Sequence, residues 1–397
     1  MKIVLIVCIA GIYMSMIMGT RPTVSLFAHD LGASINQIGL ITSLFSLFPL
    51  LFAILLGRLI DQLNSKKTLL AGGYLGIIGI ILPGLFPNYF GLVLSQLIAG
   101  SAQTILILAA QDYVGRISTK RNRNQYVSWF SFGVAIGTLI GPLMSGMLSD
   151  YFSFSITFYF MAFVGFLSCI LIHIVPNQEP VSLRIGDETL ENERPSFLDL
   201  LNIPGLRLAL LFSTLILFAK DLYLTFFPLL GLQFGYSNLT IGFLLSINGI
   251  ASVIIRFYLN PLTNRFGTVS VFIGSMIITC VSYIALPFFS QIIIAGIIAF
   301  ILGIGLGIGQ PLSISLTIQN AINGRVAEAL GIRLTVNRLT QVVTPIVLGA
   351  LANIIGLVNI FIVSSAVIAA GTGIAHNRKR KAAVSGIKSE LQKEKSL

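Results

Sequence analysis

Long apolar stretches recur from one end of this chain to the other, and they limit what it can fold into. A helix that crosses the hydrocarbon core of a bilayer needs about 20 predominantly apolar residues, and such stretches occur twelve times here. Only 10% of the residues are charged, against roughly 25% in an ordinary soluble domain. The short alternating segments of a membrane β-barrel are absent. We therefore predict an all-α membrane protein with twelve transmembrane helices.

The predicted spans are separated by short polar links. They cover approximately residues 3–28, 38–56, 69–86, 90–110, 126–148, 156–175, 208–230, 241–259, 269–288, 292–318, 330–352 and 358–374.

An internal duplication relates the two halves of the chain. Residues separated by 203 positions repeat the same glycine, proline and serine pattern: Gly32 and Gly235, Ser34 and Ser237, Gly39 and Gly242, Gly100 and Gly303, Pro142 and Pro345, Gly146 and Gly349. A single displacement that aligns so many of these residues indicates two homologous halves. We predict two pseudo-symmetric six-helix bundles, at residues 1–175 and 208–375. Residues 176–207, rich in proline and acids, are predicted to link them, and residues 376–397 to form a basic tail.

Lysine and arginine are distributed unevenly between the links. If the amino terminus is cytoplasmic, the links that alternate with it on the same side hold the basic residues, and the six outer links hold none. This asymmetry predicts a multi-pass cell membrane protein with both termini in the cytoplasm. It also accounts for the formal charge of +11 without nucleic acid as a partner.

The loop between the second and third spans resembles the signature loop of the major facilitator superfamily. Gly57, Asp61, Lys66 and Lys67 match that pattern, whereas the usual arginine after the aspartate is Gln62. The copy in the second half has Asn264 in place of the acid but keeps Arg265. The resemblance covers nearly the whole chain and implies a transporter in which this loop acts as a conformational latch. For the two lysines alone, enforcement of topology explains their position as well.

The fifth span carries a second resemblance to the same family. Gly133, Gly137 and Gly141 recur every four residues and are followed by Pro142 and Gly146. This run is similar to the antiporter motif of drug exporters, which implies export. Ordinary packing of small residues between helices predicts the same pattern. Such exporters carry an arginine in a fourth-span motif that ends in glutamine and glycine. Gly100 matches this motif, but Gln96 and Ala99 occupy the other two places, so the resemblance implies no proton-coupling role for that arginine here.

Charged residues within the spans indicate where a solute binds. A charge at the centre of a membrane helix costs about 2.5–3.5 kcal/mol on insertion scales. Arg21, Lys220, Asp221 and Arg338 are the candidates. Under the duplication the first and seventh spans are partners, and transporters with this internal symmetry bind substrate near the midplane between their halves.

Three cations against one acid predict a site with excess positive charge and therefore an anionic or zwitterionic solute. Asn337, Gln341, Gln103 and Gln310 are polar neighbours that either line this site or join helices. Arg256 and Arg333 lie near predicted cytoplasmic ends and are expected to extend to the interface. Asp221 is the best candidate for proton coupling, with Asp30 and Asp112 as alternatives at the span ends.

We therefore predict a secondary active transporter that exports a small organic anion or zwitterion by rocker-switch alternating access. Efflux of lipophilic drugs, or import or uniport by the same fold, are the alternatives. Its partners are the solute, the lipid bilayer and protons as coupling ion, and we expect a monomer. No metal-ligand spacing or catalytic cluster is visible, so neither an enzyme nor a cofactor is predicted.

Overall fold

A computed structural model gives the architecture of the chain and describes residues 2–62, 65–119, 122–177, 203–321 and 326–394. Within these residues twelve helical segments are long and apolar enough to cross a membrane. The helices are α1 (Lys2–Asp30), α2 (Ile35–Gln62), α3 (Ser65–Leu85), α4 (Tyr89–Ile117), α5 (Arg123–Tyr151), α6 (Phe154–Ile174), α7 (Pro204–Gln233), α8 (Asn238–Phe257), α9 (Leu259–Phe266), α10 (Thr268–Ala285), α11 (Ile292–Gly307), α12 (Gly309–Gln319), α13 (Val326–Ile355) and α14 (Leu357–Glu394).

These helices confirm the predicted fold class and the twelve spans. The seventh span begins at Pro204, four residues before the predicted start, and α14 continues through the basic tail to Glu394. The short α9 lies in a polar link where no element was predicted. Most of the predicted linker, at residues 178–202, lies outside the described residues, so the division into two bundles stays a prediction.

The tenth span is broken into α11 and α12, and Pro311 explains the position of the break. A proline ring clashes with the carbonyl four residues earlier and offers no N–H to it. That carbonyl belongs to Gly307, the last residue of α11, and α12 begins at Gly309. Proline is a common cause of kinks in long helices, and the structure shows this helix interrupted one turn before Pro311.

Tight turns close the first and seventh spans in the same way. Gly32 and Gly235 have φ angles of 84° and 74°, in the left-handed region that residues with a Cβ seldom adopt. These two glycines are 203 positions apart. The duplication seen in the sequence therefore extends to backbone conformation.

Two compact units are distinguished by the contacts between residues. The first comprises Met1–Arg194, Asp221–Gly249 and Thr335–Ile360, and the second comprises Pro195–Lys220, Ile250–Leu334 and Phe361–Leu397. Each unit is described separately below.

Glycines in the first unit let α5 approach α1 until their backbones touch. A Cβ on Gly133 would meet the carbonyl of Val7, and one on Gly137 would meet that of Gly11. Ser145 adds a hydrogen bond from its hydroxyl to the Gly19 carbonyl at 2.8 Å. The predicted glycine face of α5 thus packs against α1, as small residues between membrane helices commonly do.

Two further close approaches in the first unit are copies of each other. Gly39 of α2 lies against the carbonyl of Pro345 in α13, while Gly242 of α8 lies against that of Pro142 in α5. Adding 203 to 39 and 142 gives 242 and 345, so the same pair of positions is used twice with the halves exchanged. In the predicted topology both contacts lie toward the outer ends of the helices.

In the second unit, aromatic and small residues join α7, α10 and α11. The rings of Phe212 and Phe272 stack with centroids 3.5 Å apart, and the hydroxyl of Tyr283 donates to the carbonyl of Ala219. A Cβ on Gly305 of α11 would collide with Thr279 of α10. These contacts need small or flat side chains, and the apolar sequence of the three helices supplies them.

Candidate functional site

A buried ion pair between α1 and α7 forms one half of the candidate site. Arg21 Nη2 lies 3.8 Å from Asp221 Oδ1, with side chains 10% and 1% exposed. The guanidinium of Arg21 also lies over the ring of Phe45, 4.7 Å from its centroid, a cation–π contact. Among the described residues, Asp221 is the one acid that is fully buried. The carboxylate therefore balances part of the positive charge that α1 brings into the membrane.

Arg338 of α13 forms the other half and is held by neutral groups. Its Nη1 donates to Gln341 Oε1 and its Nη2 to Thr104 Oγ1, both at 3.2 Å. The hydroxyl of Ser46 donates to the same Gln341 oxygen at 3.4 Å. Arg338 is also within electrostatic reach of both Arg21 and Asp221. The two halves thus form one cluster of α1, α2, α4, α7 and α13, which we call the Arg21–Arg338 cluster.

A close approach between α4 and α2 positions the neutral part of this cluster. Gly100 has no room for a Cβ because the backbone carbonyl of Phe45 occupies that space. Thr104 lies one turn after Gly100 and therefore on the same face of α4. Its hydroxyl donates to the Gly100 carbonyl at 3.0 Å, which leaves the oxygen as an acceptor for Arg338.

The Arg21–Arg338 cluster carries excess positive charge. Two guanidinium groups face one carboxylate, and guanidinium stays protonated in proteins. Buried charges are stable only when paired or well hydrogen-bonded, and Arg338 relies on hydrogen bonds to an amide and a hydroxyl. Such a cluster has the chemistry to bind a group that accepts hydrogen bonds and carries negative charge.

The other predicted site residues take no part in the contacts that define the Arg21–Arg338 cluster. The Lys220 side chain is exposed and belongs to the second compact unit. Asn337 is buried at 8% exposure, and Gln103 directs its amide nitrogen toward the sulfur of Met14 at 3.8 Å. Gln310 lies in the second unit, where it accepts a hydrogen bond from Arg333. The structure therefore brings together Arg21, Asp221, Arg338 and Gln341 of the predicted set.

Two interpretations of single charged residues change with the structure. Arg333 was expected to extend to the interface, and this is wrong, because it is only 4% exposed. Asp112 accepts hydrogen bonds from Ser65 at 2.6 Å and from Arg116, so it is engaged at the end of α4. Asp30 is exposed at the end of α1. Within the described residues, no group of three or more potential metal ligands is found.

The comparison with known families decides the identity of the fold. The sequence profile of the Major Facilitator Superfamily matches residues 3–321 and, in a second match, residues 209–393. The chain belongs to the Major Facilitator Superfamily. It is therefore a transporter of this superfamily and not an enzyme, as the loop and the duplication predict.

Its relatives within the Major Facilitator Superfamily include characterised and uncharacterised transporters. An uncharacterised MFS-type transporter of Methanocaldococcus jannaschii is 22% identical over 353 residues, which cover 86% of this chain and 88% of the relative. The quinolone resistance protein NorA of Staphylococcus aureus is 22% identical over 84% of this chain and 85% of NorA. A mutant of the nucleoside transporter NupG has the same fold, with a TM-score of 0.80, 13% identity and coverage of 95% of this chain and 100% of NupG.

The superfamily's signature loop is described only in part. Lys66 donates from Nζ to the His173 carbonyl at 2.6 Å, and Lys67 is exposed. In the second half, the guanidinium of Arg265 lies 5.3 Å from the ring centroid of its neighbour Phe266. Gly57 and Asp61 lie in the last turns of α2, where the structure describes the backbone but not the side chains. The latch therefore stays a prediction.

Sequence reasoning missed Phe45, Ser46 and Thr104. Serine and threonine are common within spans because they hydrogen-bond to their own helix, so neither residue stands out. Gly100 was the available signal, since a glycine conserved between the two halves as Gly100 and Gly303 indicates a close helix contact. The residue it contacts could not be read from the sequence.

Proposed function

We propose that this superfamily member exports a small organic solute that carries a carboxylate, as an anion or a zwitterion, across the cell membrane. The observation that supports this most directly is Arg338, a cation whose hydrogen bonds go to Gln341 and Thr104. A carboxylate accepts two parallel hydrogen bonds from a guanidinium. Its charge would offset the excess positive charge of the Arg21–Arg338 cluster.

Asp221 gives the cluster a second recognition element. Its carboxylate lies 3.8 Å from Arg21, and we propose that it exchanges Arg21 for the amine of a zwitterionic solute. Binding would then exchange the internal pair for two pairs with the solute, one at Asp221 and one at an arginine. We propose that this exchange accompanies rocker-switch alternating access, with both chain termini in the cytoplasm and protons as coupling ion.

Efflux of drugs is a second candidate that a specific observation favours. NorA, a quinolone resistance protein, matches 84% of this chain. Phe45 and Met14 supply apolar surface beside Arg21 and Gln103, as a lipophilic cargo requires. Loss of positive charge at Arg338 should leave the transport of an uncharged lipophilic compound unchanged, so the two functions make different predictions.

The test uses the purified full-length protein in proteoliposomes. Labelled carboxylic acids, amino-acid-like zwitterions and an uncharged lipophilic dye are screened by counterflow in wild-type protein, Arg338→Met and Lys2→Gln. Hydrogen bonds to charged groups contribute about 1.5–3 kcal/mol. Arg338→Met should therefore raise the carboxylate concentration that gives half-maximal counterflow by roughly ten- to a hundredfold. Lys2→Gln removes an exposed charge from α1 and should not change it.

Two results would contradict the proposal. One is carboxylate counterflow that Arg338→Met leaves at the wild-type affinity. The other is counterflow of uncharged compounds only, which would favour drug efflux. Direction is measured separately, by comparing uptake into everted vesicles with uptake into right-side-out cells.

A further inference from the structure

A further buried arginine, which is not a member of the Arg21–Arg338 cluster, belongs to the second compact unit. Arg333 of α13 is 4% exposed. Its Nε donates to Ser313 Oγ at 2.9 Å and its Nη2 to Gln310 Oε1, both on α12. The site therefore lies between α12 and α13, in the half of these spans that the predicted topology places toward the cytoplasm.

No acid balances this cation within the described residues. Ion pairs there join Arg21 to Asp221 and Arg116 to Asp112, and Arg333 takes part in neither. Burying a guanidinium without a compensating charge costs several kcal/mol. Two neutral acceptors recover only part of that cost, so the arrangement is suited to a negative group that is supplied from outside the chain.

Two donor atoms, one on Arg333 and one on Gln310, have no hydrogen-bond partner among the described residues. A guanidinium has no acceptor, so the amide of Gln310 must turn its oxygen toward Arg333 and its nitrogen away. That nitrogen, Nε2, is buried and has no hydrogen-bond partner among the described residues. The two hydrogen bonds of Arg333 use Nε and Nη2, so within the same part of the chain Nη1 donates to no residue.

The hydroxyl of Ser313 does not change this balance. It donates to the carbonyl of Ala209 in α7 at 3.0 Å and accepts from Arg333, so its single donor is already used. Gln310 Nε2 is bonded to the same carbon as the oxygen that accepts from Arg333 Nη2, so the two donor groups belong to side chains that are joined by one hydrogen bond. Donors from an amide and a guanidinium, with one positive charge and no acid, are complementary to a monovalent anion.

We propose that Arg333 and Gln310 form a binding site for a small monovalent anion, such as chloride or the carboxylate of a small acid. The anion would neutralise Arg333 and accept hydrogen bonds from Nη1 of Arg333 and Nε2 of Gln310. It would stabilise the contact between α12 and α13. This site is independent of the proposed function, because none of its residues belongs to the Arg21–Arg338 cluster.

A purely structural role for Arg333 makes a different prediction. If Arg333 only joins α13 to α12 and, through Ser313, to α7, stability should not depend on which anion is present at constant ionic strength. A ligand that binds only the folded protein raises stability with its concentration until the site is saturated. The dependence of Tm on the type of anion therefore separates a binding site from a structural hydrogen bond.

The experiment measures Tm of the purified full-length protein by fluorescence of its single tryptophan. Sodium isethionate, whose anion is bulky, is replaced stepwise by sodium chloride or by sodium formate at constant ionic strength. Wild-type protein should show a saturable rise in Tm with at least one of the two small anions. Gln310→Leu, which removes one donor, should raise the midpoint concentration about tenfold, and Arg333→Met should abolish the rise.

Arg338→Met identifies the source of any response. If the rise in Tm persists in Arg338→Met and is lost in Arg333→Met or weakened in Gln310→Leu, the anion binds at Arg333. A rise that persists at the wild-type midpoint in both Arg333→Met and Gln310→Leu overturns the proposal, as does the absence of any rise in wild-type protein. Loss of the rise in Arg338→Met alone also overturns it and assigns the anion to the Arg21–Arg338 cluster. If Arg333→Met does not fold, the midpoint concentration of Gln310→Leu still shows whether the anion binds at this site.

Discussion

Phe45 is the residue that most distinguishes the Arg21–Arg338 cluster from a simple ion pair. It is 2% exposed, and its ring faces the guanidinium of Arg21 at 4.7 Å. Cation–π contacts contribute about 0.5–1 kcal/mol at exposed sites and about 2 kcal/mol or more when desolvated. The face of this ring therefore replaces part of the hydration that Arg21 loses on burial.

Phe45→Leu should lower the stability of the protein by about 1–2 kcal/mol, because leucine fills much of the space but offers no π face. Phe48→Leu is the matched control on the same helix, since Phe48 is 39% exposed and its ring stacks on Phe52. Thermal unfolding in one detergent compares the two variants with wild-type protein. Equal decreases in Tm would show that Arg21 gains nothing particular from the ring.

At the residue scale, charge is what the sequence shows clearly. Arg21, Asp221 and Arg338 stand out because ionised groups are rare within apolar spans, and the structure places them together. Thr104 and Ser46 could not be identified, since their hydroxyls look like those of many other serines and threonines in the spans. The burial of Arg333 was also out of reach, because it depends on the α12 side chains that surround the guanidinium.

At the scale of helices, hydropathy predicted the number of spans and most of their bounds within a few residues. This succeeds because the bilayer fixes the length of a spanning helix. The contacts between helices were less accessible. The glycine run of α5 indicates a close approach without naming its partner, and the structure shows α1 against Gly133 and Gly137 but α8 against Gly146.

The duplicated contacts of Gly39 with Pro345 and of Gly242 with Pro142 permit a test at this scale. A Cβ at either glycine would collide with a backbone carbonyl, which cannot move away as a flexible side chain can. Gly39→Ala and Gly242→Ala should therefore each separate their helix pair and lower Tm by similar amounts. Because these contacts lie toward the predicted outer ends, both variants should also transport more slowly in counterflow.

Gly331→Ala is the control for these two variants. Gly331 lies within α13, and a Cβ there meets nothing within 4 Å. Alanine at such a helical position should be neutral or stabilise the protein by up to about 1 kcal/mol. If Gly39→Ala destabilises the protein and Gly242→Ala does not, the two contacts are not equivalent, despite their common origin in the duplication.

At the scale of the whole molecule, the sequence predicted the superfamily and the internal repeat. It did not predict which segments form each compact unit. The shift of 203 positions relates the first half to the second, whereas the contacts of the structure assign Asp221–Gly249 and Thr335–Ile360 to the same unit as Met1–Arg194. An internal repeat shows which segments of the chain share a common origin. Compact units show which segments contact each other in one conformation. These contacts change when a transporter changes conformation.

The proposed proton coupling is a property of the whole molecule, and we expect it to depend on Asp221. A proton-coupled carrier needs a group that gains and loses a proton during the cycle, and Asp221 is the fully buried acid among the described residues. In Asp221→Asn the amide oxygen can still accept from Arg21, but the side chain can no longer carry a proton. Accumulation of a simple carboxylic acid, which has no amine to pair with Asp221, should therefore fall at least about tenfold under an imposed pH gradient, while its counterflow without a gradient should continue.

Asp30→Asn is the matched control, because Asp30 is exposed at the end of α1 and should retain accumulation driven by pH. Both variants are reconstituted at equal protein density, and wild-type Tm and elution volume verify folding before flux is measured. Accumulation by Asp221→Asn at the wild-type level would exclude Asp221 as the proton carrier. For an amino-acid-like zwitterion, counterflow should fall together with accumulation in the folded Asp221→Asn variant, because Asp221 is proposed to pair with the amine.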